Sequence, residues 1–145
     1  MTADFTDELV RVSRLFGLYE RDAVCCGTVT VAQCLALQLL RGGPLENTAL
    51  AESSGVSPSA STRLVDGLVK KGWVERQRGE ADRRQVRISL TESGAEEAGR
   101  LRQLTEAAVG AVLDHVPAAR REDVLDAVRL LRGALEKAGA NARCC

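Results

Sequence analysis

The sequence predicts a mainly α-helical fold carrying one small β-hairpin, and three observations predict it. Apolar side chains recur at helical spacing near both ends of the chain, two short helical segments flank a tight turn in its middle, and directly afterwards the apolar spacing falls to two. With 145 residues, 45% hydrophobic but only 3% aromatic, one domain over residues 1–145 is expected, its core built from Leu, Val and Ala. No run approaches the roughly 18 apolar residues of a membrane span. No basic-then-apolar secretion signal opens the chain, so a cytoplasmic address and no membrane partner are expected.

Phe5, Leu9, Val12, Phe16 and Tyr19 step by four and three, which places them on one stripe of a first helix over residues 4–22. Thr30 is suited to cap a second helix through Gln33, Leu35, Leu37 and Leu40, which Gly42, Gly43 and Pro44 end. Residues 47–53 and 58–71 then form two helices around a Gly55-Val56-Ser57 turn. Ser57 is a natural N-cap, and Pro58 suits the first turn, where its missing N–H costs nothing. Leu64, Val65 and Leu68 supply the inward face of that helix, so Ser59, Ser61, Thr62 and Arg63 are expected on outward or flanking positions.

Gly72 stops it, and a strand over 73–78, a polar turn and an alternating Val86, Ile88, Leu90 strand read as a hairpin. Thr91, Glu92 and Ser93 open a long helix reaching about Asp114. Past Pro117, the last helix carries Val124, Val128, Leu131 and Leu135 on one stripe.

Net charge is zero, from 20 basic and 20 acidic residues, so the total says nothing about nucleic acid. Its distribution does. Arg63, Lys70, Lys71, Arg76, Arg78, Arg83, Arg84 and Arg87 face only Asp66, Glu75, Glu80 and Asp82 across residues 63–87. By itself such a segment is also what a solvated face looks like. The arrangement adds meaning: one helix of such a pair fits a major groove about 12 Å wide, and a basic hairpin beside it reaches phosphates or the minor groove. Ser57, Ser59, Ser61, Thr62 and Arg63 are the candidate base-reading residues, and Arg83, Arg84 and Arg87 the candidate clamp.

The stretches Leu50-Ala51-Glu52, Val56-Ser57-Pro58-Ser59, Arg63-Leu64-Val65-Asp66, Lys71-Gly72-Trp73-Val74-Glu75-Arg76, Asp82-Arg83-Arg84 and Leu90-Thr91-Glu92-Ser93-Gly94 resemble the multiple-antibiotic-resistance regulator (MarR) family. The resemblance implies a winged helix-turn-helix lobe over residues 30–90, with the recognition helix at 57–71 and the wing at 73–90. It further implies helical dimerisation segments at 4–22 and 95–138, which intertwine in a homodimer gripping a palindromic double-stranded site. No enzyme is expected: the chain has one histidine, His115, better read as a surface or helix-terminal residue, and lacks a glycine-rich phosphate loop and a Ser-His-Asp order.

Five cysteines in a cytosolic chain point to free thiols, metal binding or redox chemistry rather than a disulfide framework. Cys25, Cys26 and Cys34 fall at the end of the first helix and early in the second, where three thiolates can converge on a soft ion: As(III), Sb(III), Hg(II), Cd(II), Zn(II) or Cu(I). Cys144 and Cys145 are additional candidate ligands. No obligatory cofactor is expected. Three alternatives stay open: Cys34 as a small core side chain, a thiol-redox sensor, and, as the family resemblance would allow, a regulator answering to a small aromatic ligand. On any of these effector readings, the signal would alter the spacing of two recognition helices set about 34 Å apart on the duplex.

Overall fold

A computed structural model of the chain describes residues 1–19, 29–78 and 86–139. Six helices and three strands follow in the order α1 (Thr2–Tyr19), α2 (Val31–Leu40), β1 (Leu45–Glu46), α3 (Asn47–Ser54), α4 (Pro58–Lys70), β2 (Val74–Arg78), β3 (Val86–Leu90), α5 (Glu92–Asp114) and α6 (Arg121–Gly139). They fall into two compact units, one ending at Glu106 and the other beginning at Ala107.

Local chemistry explains most boundaries in the first unit. Thr30 accepts the Gln33 N–H while the Gln33 side chain accepts the Thr30 N–H, so two otherwise orphaned donors at the start of α2 satisfy each other. Gly55 ends α3 in the left-handed region, at φ 67°, which glycine adopts without a Cβ penalty. Ser57 then caps α4 through the Ala60 N–H, with Pro58 behind it. The hairpin expected from the sequence is present as β2 and β3, paired from Val74↔Leu90 to Arg78↔Val86.

A third strand was not foreseen. β1 pairs antiparallel with β3, Leu45↔Ile88 and Glu46↔Arg87, so the sheet order is β1-β3-β2. Two residues are too few to show alternation, and their partner lies some forty residues further along the chain.

The core of this unit gathers Leu37 from α2, Leu50 from α3, Val65 and Leu68 from α4, Ile88 from β3, and Ala98 and Leu101 from α5. All are essentially sealed from solvent. Burying one such aliphatic side chain contributes on the order of 1.5–3 kcal/mol, so the winged helix is held by packing among elements distant in sequence. Gln38 adds a polar tie, its Nε2 donating to the Ala98 carbonyl at 2.9 Å.

The start of α5 is locked to the start of the hairpin. Thr91 N–H donates to the Trp73 carbonyl at 3.1 Å, Thr91 Oγ1 donates to the Gly72 carbonyl at 2.6 Å, and the same oxygen accepts the Gly94 N–H at 3.0 Å. Gly94 is buried against Trp73, and a methyl group at its Cα would overlap the Trp73 carbonyl oxygen. One turn on, Arg100 grips Glu97 with two nitrogens at 2.6 and 2.9 Å. That hydrogen-bonded guanidinium holds the Glu97 carboxyl below its ordinary range, against the opposing effect of partial burial.

Among the described residues the apolar stripe of α1 lies largely in solvent. Phe5 and Phe16 are 55% and 50% exposed, and Val12 is exposed with them. The sequence expectation for helix one extends to residue 22, of which residues 20–22 lie outside the described residues.

In the second unit a 3-10 turn at Ala118–Arg120 follows Pro117, and α6 follows that turn. Arg121 fastens the corner by donating to the Val116 carbonyl at 3.2 Å and pairing with Asp114 at 3.5 Å. Within α6 no residue is buried, and Val128 and Leu135 are 57% and 53% exposed. Among the described residues no helix is long and apolar enough to cross a membrane.

Candidate nucleic-acid interface

α4 divides cleanly into two faces. Ser61, Val65 and Leu68, spaced by four and three, are fully buried. Opposite them Ser59, Thr62, Arg63 and Lys70 are exposed, with Asp66 among them at half exposure. Ser59, Arg63, Asp66 and Lys70 step by four, three and four, so one outward stripe carries two cations, a carboxylate and a hydroxyl.

Ser61 is therefore not a groove-facing residue, contrary to the expectation from its polarity. It lies four residues before Val65 and seven before Leu68, on the same inward stripe, and its hydroxyl donates to Asn47 Oδ1 at 3.0 Å. Asn47 is the organiser that sequence reasoning missed. Its Nδ2 donates to the Pro58 carbonyl at 3.1 Å and to Thr62 Oγ1 at 3.2 Å, so one amide at the start of α3 holds the first turn of α4. The one sequence signal was its helix-starting position, which suggests local capping rather than a reach across to the next helix.

Replacing Ser61 with alanine is expected to lower stability by about 1–2 kcal/mol, because Asn47 Oδ1 loses a buried donor. Chemical denaturation checks the stability. The base preference of bound DNA should stay that of the wild type, and a changed preference would return Ser61 to the reading face.

The other predicted residues of the turn are placed as follows. Ser57 is committed as the cap, and its Oγ also lies 3.2 Å from Ser59 Oγ. Thr62 donates to the Pro58 carbonyl at 3.0 Å. Arg63 is exposed.

The hairpin is tied to α4 by Arg76, whose Nη2 lies 2.6 Å from Asp66 Oδ1. An exposed pair of this kind contributes about 0–1 kcal/mol to stability. It matters more for position: it joins the first strand of the wing to the outward stripe and neutralises a carboxylate that would otherwise repel phosphate. Asp66 and Lys70 were legible as charges, and their place beside Arg63 follows from spacings of three and seven. Arg87 is exposed on β3, in register with Gln77 on one side and Glu46 on the other. Side chains directly opposite in a ladder share a face, so Arg87 stands on a polar strip of the wing. Arg83 and Arg84, expected at its tip, lie outside the described residues.

The same holds for Cys25, Cys26, Cys144 and Cys145. Cys34 is described: it is partly buried and packs against the core cluster that contains Val65 and Leu68. Among the described residues no group of three or more His, Cys, Asp or Glu is placed to hold a metal ion.

The family model of the MarR family matches residues 29–86, which span α2 through the first residue of β3. The transcriptional repressor MprA of Escherichia coli is 34% identical over 62 residues, 43% of this chain and 35% of MprA. The aligned segments span between about a third and a half of the length of the curated relatives. Among solved structures, RV1404 of Mycobacterium tuberculosis superposes with a TM-score of 0.75 at 26% identity, covering 96% of this chain and 95% of that one. Streptococcus pneumoniae FabT, solved in complex with DNA, has a TM-score of 0.75 at 17% identity over 94% of this chain and 99% of FabT, a likeness of fold. Residues 29–86, from α2 through β2 to the first residue of β3, thus match the MarR family model, and the winged helix-turn-helix fold is shared with these structures over nearly the whole length of the chain.

Proposed function

We propose that the chain is a cytosolic transcriptional regulator, acting as a repressor, that binds a palindromic site on double-stranded DNA as a homodimer. The observation that carries this reading is the outward stripe of α4, with Arg63 and Lys70 free of the core and the wing joined to it through Arg76 and Asp66. The fold likeness to FabT, a protein solved on DNA, and the similarity to MprA, a named repressor, support it.

The test is fluorescence anisotropy with the full chain and a labelled palindromic duplex over a range of salt concentrations. Each phosphate contact releases counterions, so the logarithm of affinity should fall linearly with the logarithm of salt concentration. A salt-independent signal, or none, would remove the reading.

The homodimer rests on two surfaces, each considered in its own unit. Phe5, Val12 and Phe16 of α1 and Val124, Val128 and Leu135 of α6 are large apolar side chains left in solvent, and a second copy is the partner that the family organisation offers them. Val128→Glu is expected to move the protein from dimer toward monomer by light scattering and to weaken binding to a two-half-site duplex by at least about tenfold, since a single half-site loses the effective concentration of the second. A dimer of unchanged strength would exclude α6 from the interface.

The proposed signal is a thiol-reactive effector, a soft metal or metalloid ion such as arsenite or antimonite, taken by Cys25, Cys26 and Cys34. Support comes from the placement of Cys34 on the core cluster shared with α4, so that a bond at its sulfur strains the packing under the recognition helix. By linkage, DNA weakens effector binding by the same factor as effector weakens DNA binding. Operator release by arsenite, cadmium, zinc and hydroperoxide, compared between wild type and Cys25→Ser, Cys26→Ser and Cys34→Ser, tests it. Release by hydroperoxide alone would point to redox sensing, and equal release in all variants would exclude the cysteines.

A further inference from the structure

Beside the outward stripe of α4, exposed Thr62 has a hydroxyl that is already engaged. Its single proton goes to the Pro58 carbonyl at 3.0 Å, and its oxygen accepts the Asn47 Nδ2–H at 3.2 Å. Asn47 is held in turn by the Pro58 carbonyl at 3.1 Å and by the buried Ser61 hydroxyl at 3.0 Å, so the threonine does not rotate its oxygen outward without breaking a four-residue network. A threonine hydroxyl has one donor, so none remains for a base acceptor. Ser59 differs: the Ser57–Ser59 contact uses one proton of two and leaves the other for a base or phosphate.

What Thr62, an exposed residue between Ser59 and Asp66 on the helix surface, has left to present is one acceptor lone pair and its methyl group. In the major groove the complementary apolar group is the C5-methyl of thymine, which a threonine methyl contacts favourably. We infer that Thr62 is a specificity-determining residue that reads thymine at one position of each half-site by methyl–methyl contact, with its hydroxyl serving only to fix the rotamer. This rests on the DNA-binding reading above. It assigns a base and a mode of contact to a side chain whose polarity suggests hydrogen bonding.

The experiment starts from a duplex that the full-length protein selects from a random-sequence pool. Each thymine of that duplex is replaced in turn by deoxyuridine, which removes the methyl group and nothing else. Wild type should lose about fourfold in affinity when the contacted thymine of one half-site is replaced, and about sixteenfold when both are, the size expected for one buried methyl group per site. Thr62→Ser keeps the hydroxyl, its network and its remaining lone pair but lacks the methyl, so it should melt as wild type does and bind thymine and uracil duplexes alike. Thr62→Val keeps methyl groups and should keep the discrimination, with melting followed in parallel to confirm the fold.

Absence of any methyl effect in wild type, or an undiminished effect in Thr62→Ser, overturns the inference while leaving DNA binding intact. Failure of the pool to yield any duplex overturns the DNA-binding reading itself, and the inference falls with it.

Discussion

Gly94→Ala is expected to destabilise the protein by about 3 kcal/mol or more, the largest loss for any single added methyl group considered, with a fall in Tm of about 10 °C. Gly94 sits in the first turn of α5, against the backbone of Trp73, and its added Cβ would overlap the Trp73 carbonyl oxygen. Three features make relief costly. The obstacle is backbone, which has no rotamer to change. That carbonyl accepts the Thr91 N–H, and the Thr91 hydroxyl bonds to Gly72, so withdrawing the hairpin from α5 breaks both contacts. The displaced segment leads into Val74, a core residue. Gly99→Ala, on the same helix but with nothing within 4 Å of the added Cβ, is the control. It should raise stability by up to about 1 kcal/mol through helix propensity. Thermal melts of the two variants in opposite directions support the packing described; equal melts would overturn it.

Arg63→Ala should leave the melt within about 0.5 kcal/mol of wild type and reduce affinity for the selected duplex by about tenfold to a hundredfold per half-site. Arg63 is exposed and forms no ion pair among the described residues, so the folded protein loses little with it. On DNA a guanidinium in the groove can pair with guanine at two points, and such a pair is worth about 1–3 kcal/mol of discrimination. The loss should therefore be confined to one base position, at which the variant accepts several bases. Lys70→Ala offers the contrast: as a phosphate contact it should weaken binding to all sequences alike and reduce the salt slope by about one per protomer. Competition binding with single-base variants separates the two, and a sequence-independent loss for Arg63→Ala would move it from the bases to the backbone of the duplex.

These expectations draw on features of different legibility. The Thr30 and Ser57 caps, the Gly55 turn and the alternation of β3 were readable because each depends on neighbours within a few residues. Ser61 was misread for a reason that the helix period itself supplies: its hydroxyl argued for solvent, while its spacing to Val65 and Leu68 placed it inside. Polarity is the weaker guide where a partner exists, and Asn47 is that partner. Within the Leu90-Thr91-Glu92-Ser93-Gly94 segment the helix start was readable, whereas Gly94 stood out by resemblance alone. Its physical reason, a helix start pressed onto the Trp73 carbonyl, required coordinates.

By itself, then, the chain's residue order determined the helices, the two strands of the hairpin, most of the limits among the described residues and the excess of positive charge over residues 63–87, because periodicity, caps and turns are local properties of a chain. The tertiary structure alone decided that Leu45 and Glu46 add a third strand, that Ser61 points inward, that Arg76 reaches Asp66, and that Thr62 is held by an asparagine fifteen residues earlier. Each of those outcomes is a contact between segments distant along the chain, and which side chains meet there is set by how the elements pack, a quantity that no local pattern encodes.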